Sequence, residues 1–278
     1  MADPRLPQED ALDRIAAALE KLAPKKQEPV DWLSAPAYVW DGQHGASIAE
    51  PDARPLHQLR GIDQQKSSVR TNLARHAQGA AAHDILLWGA RGMGKSALIR
   101  AAMVDLQTEN PSRIALIQLS SDAVGTLPLL LAELADCHRA FLLFVDDLGF
   151  GPDEFQTNLA LRSMLDGSIQ ARPRNVLLAV TTNRRAIVAR DWEEREALHA
   201  RDERDNSLAL ADRFGLTLGF HPCDQETYLE IVRAYTDPLD ISINEEEAAT
   251  WAIERGNRSG RTAFQFACEL AGRAGLNL

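Results

Sequence analysis

Between residues 80 and 180 the apolar positions fall in continuous runs, HDILLWG, RIALIQL, FLLFV and NVLLAV, not in alternation. Runs of this length, bounded by turn-forming residues, predict strands buried on both faces. The stretches between them carry helical spacing. GIDQQKSSVRTNLARH precedes the first run, and a helix opening at Ser96 follows it. A Leu-rich helix over residues 128–138 leads into FLLFV, another around 154–168 leads into NVLLAV, and a short strand, LTLGF, comes later. Strands alternating with helices predict an α/β fold: a parallel five-stranded sheet with helices on both faces.

After Pro222 the strand signals stop, and three helical segments are expected to start near Asp224, Asn244 and Ser259. Asn244 with Glu247 three positions later has the spacing of a capping pair. At the other end, Leu12, Ile15, Ala16, Leu19 and Leu22 share a helical face before Pro24 and Pro29. That face suits an end helix packed on its own domain or an arm that docks on a partner subunit. The domain reading is an N-terminal arm and linker over 1–29, a core over 30–222 and a small all-helical lid over 223–278. Trp32, Tyr38 and Trp40 cluster in DWLSAPAYVW and are expected to cover a core edge. The charged stretch 184–207 reads as a solvated helix or insert.

The chain has 278 residues and a net charge of −10, which argues against a surface built wholly for nucleic acid or an anionic membrane. Three scattered cysteines, Cys137, Cys223 and Cys268, make no metal-ligand spacing and fit a reducing compartment. No apolar run approaches the ~20 residues of a membrane span, and the N-terminus lacks an apolar signal core. Cytoplasm is the expected location.

The strongest chemical signal is GARGMGKS, Gly89 to Ser96, placed between a predicted strand and a predicted helix. Backbone N–H groups of such a Gly-rich turn, here Gly89, Ala90, Arg91, Gly92, Met93 and Gly94, point inward and cradle phosphate oxygens. The positive end of the following helix, which runs on into Ala97, adds to the field. Lys95 places a charge on the terminal phosphates, and the Ser96 hydroxyl suits Mg²⁺. About fifty residues on, FLLFV ends in Asp146 and Asp147. Asp146 at a strand end suits Mg²⁺, while Asp147 is either a base or a turn-forming carboxylate. NVLLAV ends in Thr181, Thr182 and Asn183, and that amide either orients an attacking water or caps the next helix. ATP and Mg²⁺ are the expected ligands.

With these residues in view, the chain resembles an AAA+ ATPase. GARGMGKS resembles its Walker A motif and FLLFVDD its Walker B motif, and Asn183 matches sensor 1. LRGIDQQ resembles the segment that touches the base, which implies Ile62 as a base contact. LADRFGL puts Arg213 where many members carry an arginine finger, and SGRTAFQFA puts Arg261 at sensor 2. More narrowly, LWGARGMGKS, DDLGF, TTNRR, DRFGL, LGFHPCDQETYL and SGRTAFQFA resemble a bacterial AAA+ group labelled domain of unknown function 815, over roughly residues 30–278. That group carries Asp-Asp where other AAA+ proteins carry Asp-Glu.

The resemblance implies a catalytic set of Asp147, Asn183 and Arg213, with Arg213 lent to a neighbouring subunit of a homo-oligomer in the ATP-bound state. A salt bridge to Asp212 or to the acidic insert is the plainer role for Arg213. An exposed surface position is the plainer one for Arg261, although a cation in a first helical turn is unfavourable unless an anion is near. The loop SSDAVGTLP lacks the aromatic residue that polypeptide-threading relatives present, and no DNA-reading module follows the lid. Three functions remain open: a slow Mg-dependent ATPase, a nucleotide-gated binding module with negligible hydrolysis, and a DNA-associated loader or remodeller. The protein client is open as well.

Overall fold

The computed structural model describes residues 29–149, 155–165, 172–183 and 211–278. The predicted arm helix and the charged stretch 184–207 lie outside the described residues.

The unit from Trp32 to Leu278 is built on one sheet. Its strands are β1 (Ala37–Trp40), β2 (Gly45–Ile48), β3 (Ile85–Gly89), β4 (Ile114–Leu119), β5 (Ala140–Val145), β6 (Val176–Thr182) and β7 (Leu216–Phe220). The order across the sheet is β2-β1-β4-β5-β6-β3-β7. All neighbours are parallel except β1 and β2, so the α/β expectation holds. Every residue of β5 and β6 is buried, as the unbroken apolar runs require.

The sheet has seven strands where five were expected. The two extra strands come from AYVW and GASI. Four residues are too few for a periodic signal, and β2 is mostly exposed. A local turn joins them: Asp41 Oδ1 accepts from the N–H groups of Gln43 at 2.8 Å and His44 at 2.7 Å. The aromatic cluster therefore belongs to an added edge. Buried Arg139 holds the approach to that edge, donating through Nη1 to the carbonyls of Trp32 and Ala35 and through Nη2 to those of Pro111 and Ile114.

The helices between strands are α1 (Asp63–Ala77), α2 (Lys95–Glu109), α3 (Leu127–Leu134) and α4 (Phe155–Leu165). The loop SSDAVGTLP is a 3₁₀ turn, Ser121–Thr126, running into α3. After β7 come α5 (Gln225–Thr236), α6 (Glu245–Glu254) and α7 (Gly260–Arg273). Their N-caps are Asp224, Asn244 and Ser259, each accepting a backbone N–H through its side chain. Asn244 serves both Glu246 and Glu247, so half of the expected capping box is present. Tyr228, Val232, Ala248, Ala263 and Phe266 make a core of their own among these three helices.

Candidate functional site

The C-terminal ends of β3, β5 and β6 meet at one place, and the Gly-rich loop opens from the first of them. Gly89 ends β3 at φ 122°, where an added Cβ would lie 2.1 Å from the Phe220 carbonyl oxygen. Only glycine lets the loop turn this close to β7, and Ala90 N–H then donates to that same carbonyl at 2.8 Å. Gly94, at φ 88°, is the N-cap of α2, so the helix axis points its positive end into the loop.

Lys95 folds back over the loop. Its Nζ donates to the carbonyls of Gly89 at 2.9 Å and Ala90 at 2.8 Å and to Asn183 Oδ1 at 2.9 Å. The residue is only 6% exposed, and burial pushes its pKa below the ordinary lysine value. The charges of Asp147 and Asp146 work against that shift, and those of Arg261 and Arg91 work with it. The buried ammonium thus sits on carbonyls between two carboxylates and two guanidinium groups, and an incoming anion would favour its charged form.

The two acids divide in space. Asp146 Oδ1 accepts from Ser96 Oγ and from Thr181 Oγ1, both at 2.5 Å. Asp147 turns away at φ 53°, a left-handed conformation that aspartate tolerates better than most residues. Its N–H donates to Thr181 Oγ1 at 2.8 Å, and its carboxylate accepts from Asn183 Nδ2. Asn183 therefore bridges Lys95 and Asp147, while Thr181 bridges the two acids through one hydroxyl. For a hard cation, Ser96 and Asp146 offer an all-oxygen pair already in contact, beside a cavity with room for water, so the residues fit Mg²⁺.

The cavity has a volume of about 570 Å³. Its walls are the loop from Arg91 to Ala97, Asp146, Asp147 and Asn183 on the sheet side, Leu59 to Ile62 (without Gly61) at one end, and Tyr235, Arg261 and Phe264 on the helical side. Ile62, Arg261 and the two acids are thus brought together as expected. Gly89 and Ala90 form the base of the loop through their carbonyls.

Arg213 is not brought in. It lies exposed in the turn before β7, whereas Phe220 at the far end of β7 touches the loop. Five residues of strand put roughly 17 Å between those ends. The arginine is therefore out of reach of the phosphate loop of its own chain.

Several lining residues were missed in the sequence. Thr181 was legible as a hydroxyl at the end of an apolar strand. Arg100 lines the same cavity with a buried Nε that has no hydrogen-bond partner. Tyr235 and Phe264 left no signal, since helical spacing does not separate a core aromatic from a cavity wall. Their rings lie 5.4 Å apart, and the Arg54 guanidinium stands 4.4 Å from each. This contact ties the segment before α1 to the C-terminal helices.

The order β7-β3-β6-β5-β4, a glycine loop after β3 and a helical C-terminal segment define the fold of an AAA+ ATPase. Residues 33–274 match the family model described as "Protein of unknown function (DUF815)", and the chain belongs to that family. Among solved structures it is similar to the Thermotoga maritima RuvB Holliday junction branch migration motor, at 19% identity and TM-score 0.51, over 80% of this chain and 66% of that one. It is also similar to the Aeropyrum pernix ORC1 protein in complex with DNA, at 14% identity and TM-score 0.57, over 80% and 65%. A third likeness is to the FIGL-1 AAA domain in complex with ADP, at 15% identity and TM-score 0.54, over 80% and 75%. At these identities the likeness is one of fold. The chain spans slightly less than two thirds of the length of RuvB and ORC1. No curated protein sequence matches it. Among the described residues, no helix is long and apolar enough to cross a membrane.

Proposed function

We propose that this chain binds ATP with Mg²⁺ and hydrolyses it slowly, coupling nucleotide state to the setting of its helical lid or to assembly. One observation carries the reading: Lys95, both strand-end acids and Asn183 form a single hydrogen-bonded group around the mouth of the glycine loop. The backbone N–H groups of Arg91 to Ser96 would cradle the phosphates, and Lys95 would hold the terminal ones. Ser96 and Asp146 would hold Mg²⁺, which when bound neutralises charge on the transferring phosphoryl group. Asp147 would take the proton of the attacking water, and Asn183 would orient that water. Ile62 would meet the base and Arg261 the phosphates from the lid side. We take 30–222 as the core and 223–278 as the lid, with 1–29 as an arm.

Arg213 would act on a neighbouring copy, because its own site is out of reach. A homo-oligomer formed around ATP follows from that role. Binding without turnover is favoured by a different observation: Asn183 Nδ2 donates to the Asp147 carboxylate and so competes with a water for that oxygen. RuvB is named as a branch migration motor and the ORC1 structure holds DNA, which keeps a DNA-associated role within the reading. The net charge of −10 weighs against it. The described cysteines are free thiols, in keeping with the cytoplasm.

Calorimetry with Mg²⁺ and ATP on the unmodified chain and on Lys95→Ala tests the reading. The substitution removes the point charge and leaves the backbone cradle, so affinity should fall while the fold survives. Equal affinity in both proteins would overturn the nucleotide assignment.

A further inference from the structure

A second cavity lies against the glycine loop, and neither Asp146 nor Asp147 lines it. Its volume is about 480 Å³, and it is lined by Arg91, Arg255, Arg258 and Arg261, with Gln265 at its edge and Gly92 in its wall. No acidic residue lines it. Among the described residues, the only ion pair made by any of the four arginines is Arg255 Nη1 to Glu254 Oε2 at 3.7 Å. Arg255 also stacks its guanidinium 3.3 Å from the centroid of the Trp251 ring. Arg258 keeps a buried Nε with no hydrogen-bond partner. Four guanidinium groups gathered in one cleft repel each other, in a chain whose net charge is −10. The first turn of α7 adds its positive end at Arg261, so the helix field increases the repulsion.

We propose that this arginine cleft binds a compact polyphosphate anion, at a site separate from the nucleotide cavity. Guanidinium forks match phosphate oxygens in pairs, and an anion would relieve the repulsion. A concave cleft suits a compact ligand, whereas a nucleic-acid backbone needs a basic stripe. The two cavities share a wall. Arg261 N–H donates to the Gly92 carbonyl at 3.1 Å, and an added Cβ on Gly92 would lie 2.9 Å from Arg261 Cβ. Arg91 and Arg261 line both cavities, so an occupant of either one draws on the same two cations. Only this sharing rests on the nucleotide reading; the cleft itself does not.

The test is calorimetry of the full chain with sodium tripolyphosphate, a probe that the glycine loop would also accept. The unmodified chain should bind two equivalents. Arg255→Gln combined with Arg258→Gln touches no residue of the nucleotide cavity, and it should weaken one equivalent by about tenfold or more while the other remains. Arg258→Gln alone gives the same readout with a smaller disturbance, and thermal melts report whether each variant folds. Lys95→Ala should weaken the other equivalent and spare the cleft. If Lys95→Ala changes nothing while the arginine variants lose their equivalent, the nucleotide reading fails and the cleft stands. Unchanged tripolyphosphate binding in a folded Arg258→Gln protein would overturn the cleft, as would loss of all binding in Lys95→Ala. A single-stranded oligonucleotide that binds more tightly than tripolyphosphate, and depends on the same arginines, would replace the compact anion with a nucleic-acid backbone.

Discussion

Asp147→Asn separates binding from turnover, because the backbone at this position asks for little from the side chain. At φ 53° the residue is in the left-handed region, where aspartate and asparagine are the best tolerated residues after glycine. Its N–H bond to Thr181 Oγ1 at 2.8 Å does not involve the carboxylate. The substituted amide still offers a carbonyl oxygen to Asn183 Nδ2, so the local structure should persist. What is lost is the proton acceptor. A positioned general base contributes about 10²–10⁴-fold, and the rate of phosphate release should fall by that factor. Binding should move the other way. Removing a negative charge beside the phosphate position is worth about 1 kcal/mol or less at an exposed site, so ATP should bind up to about fivefold more tightly. Steady-state phosphate release and calorimetry on the same preparations read both numbers. Phosphate release at the unmutated rate would refute the assignment. Aspartate is also one methylene shorter than the glutamate usual in this position, and misplacement of about 1 Å costs ~100-fold. A low unmutated turnover is therefore expected.

If Arg213 completes a neighbouring site, specific activity should rise with protein concentration. Mixing Lys95→Ala with Arg213→Ala should then restore part of the activity that each lacks alone, since a trans-acting arginine is worth about 10³–10⁵ in rate. An inactive mixture of co-assembled variants would return Arg213 to the salt-bridge role. Buried His76, whose Nε2 lies 3.1 Å from the Phe141 carbonyl, has its pKa pushed below the usual 6.5, chiefly by burial. As pH falls below 6.5 the unfolded chain takes up a proton that the folded one excludes, so stability should drop progressively on acidification. Thermal melts across that range should show a shallower decline in His76→Gln, and parallel curves would remove His76 from the account.

Much of this protein was legible in its sequence because the signals are local. The strands β3 to β6 are apolar runs that need burial on both faces, and each helix of the C-terminal segment announces its start with a capping side chain. The glycine loop is readable because its chemistry lies in consecutive backbone amides, which a spacing pattern can encode. Asp146 and Asn183 are readable because they end buried strands, and parallel strands place their ends together.

Tertiary structure decided the rest. The sheet gained β1 and β2 because Arg139 and the β4 edge hold two segments too short to show a period. Thr181 became the link between the two acids only when β5 and β6 paired in their register. Arg213 parted from its own site because β7 runs between it and the loop. The arginine cleft joins Arg91 to Arg255, Arg258 and Arg261 through the packing of α7 on Gly92, and no pattern along the chain connects position 91 with those three. Local physics is written in neighbouring residues, whereas a cavity depends on which surfaces meet after the chain has closed.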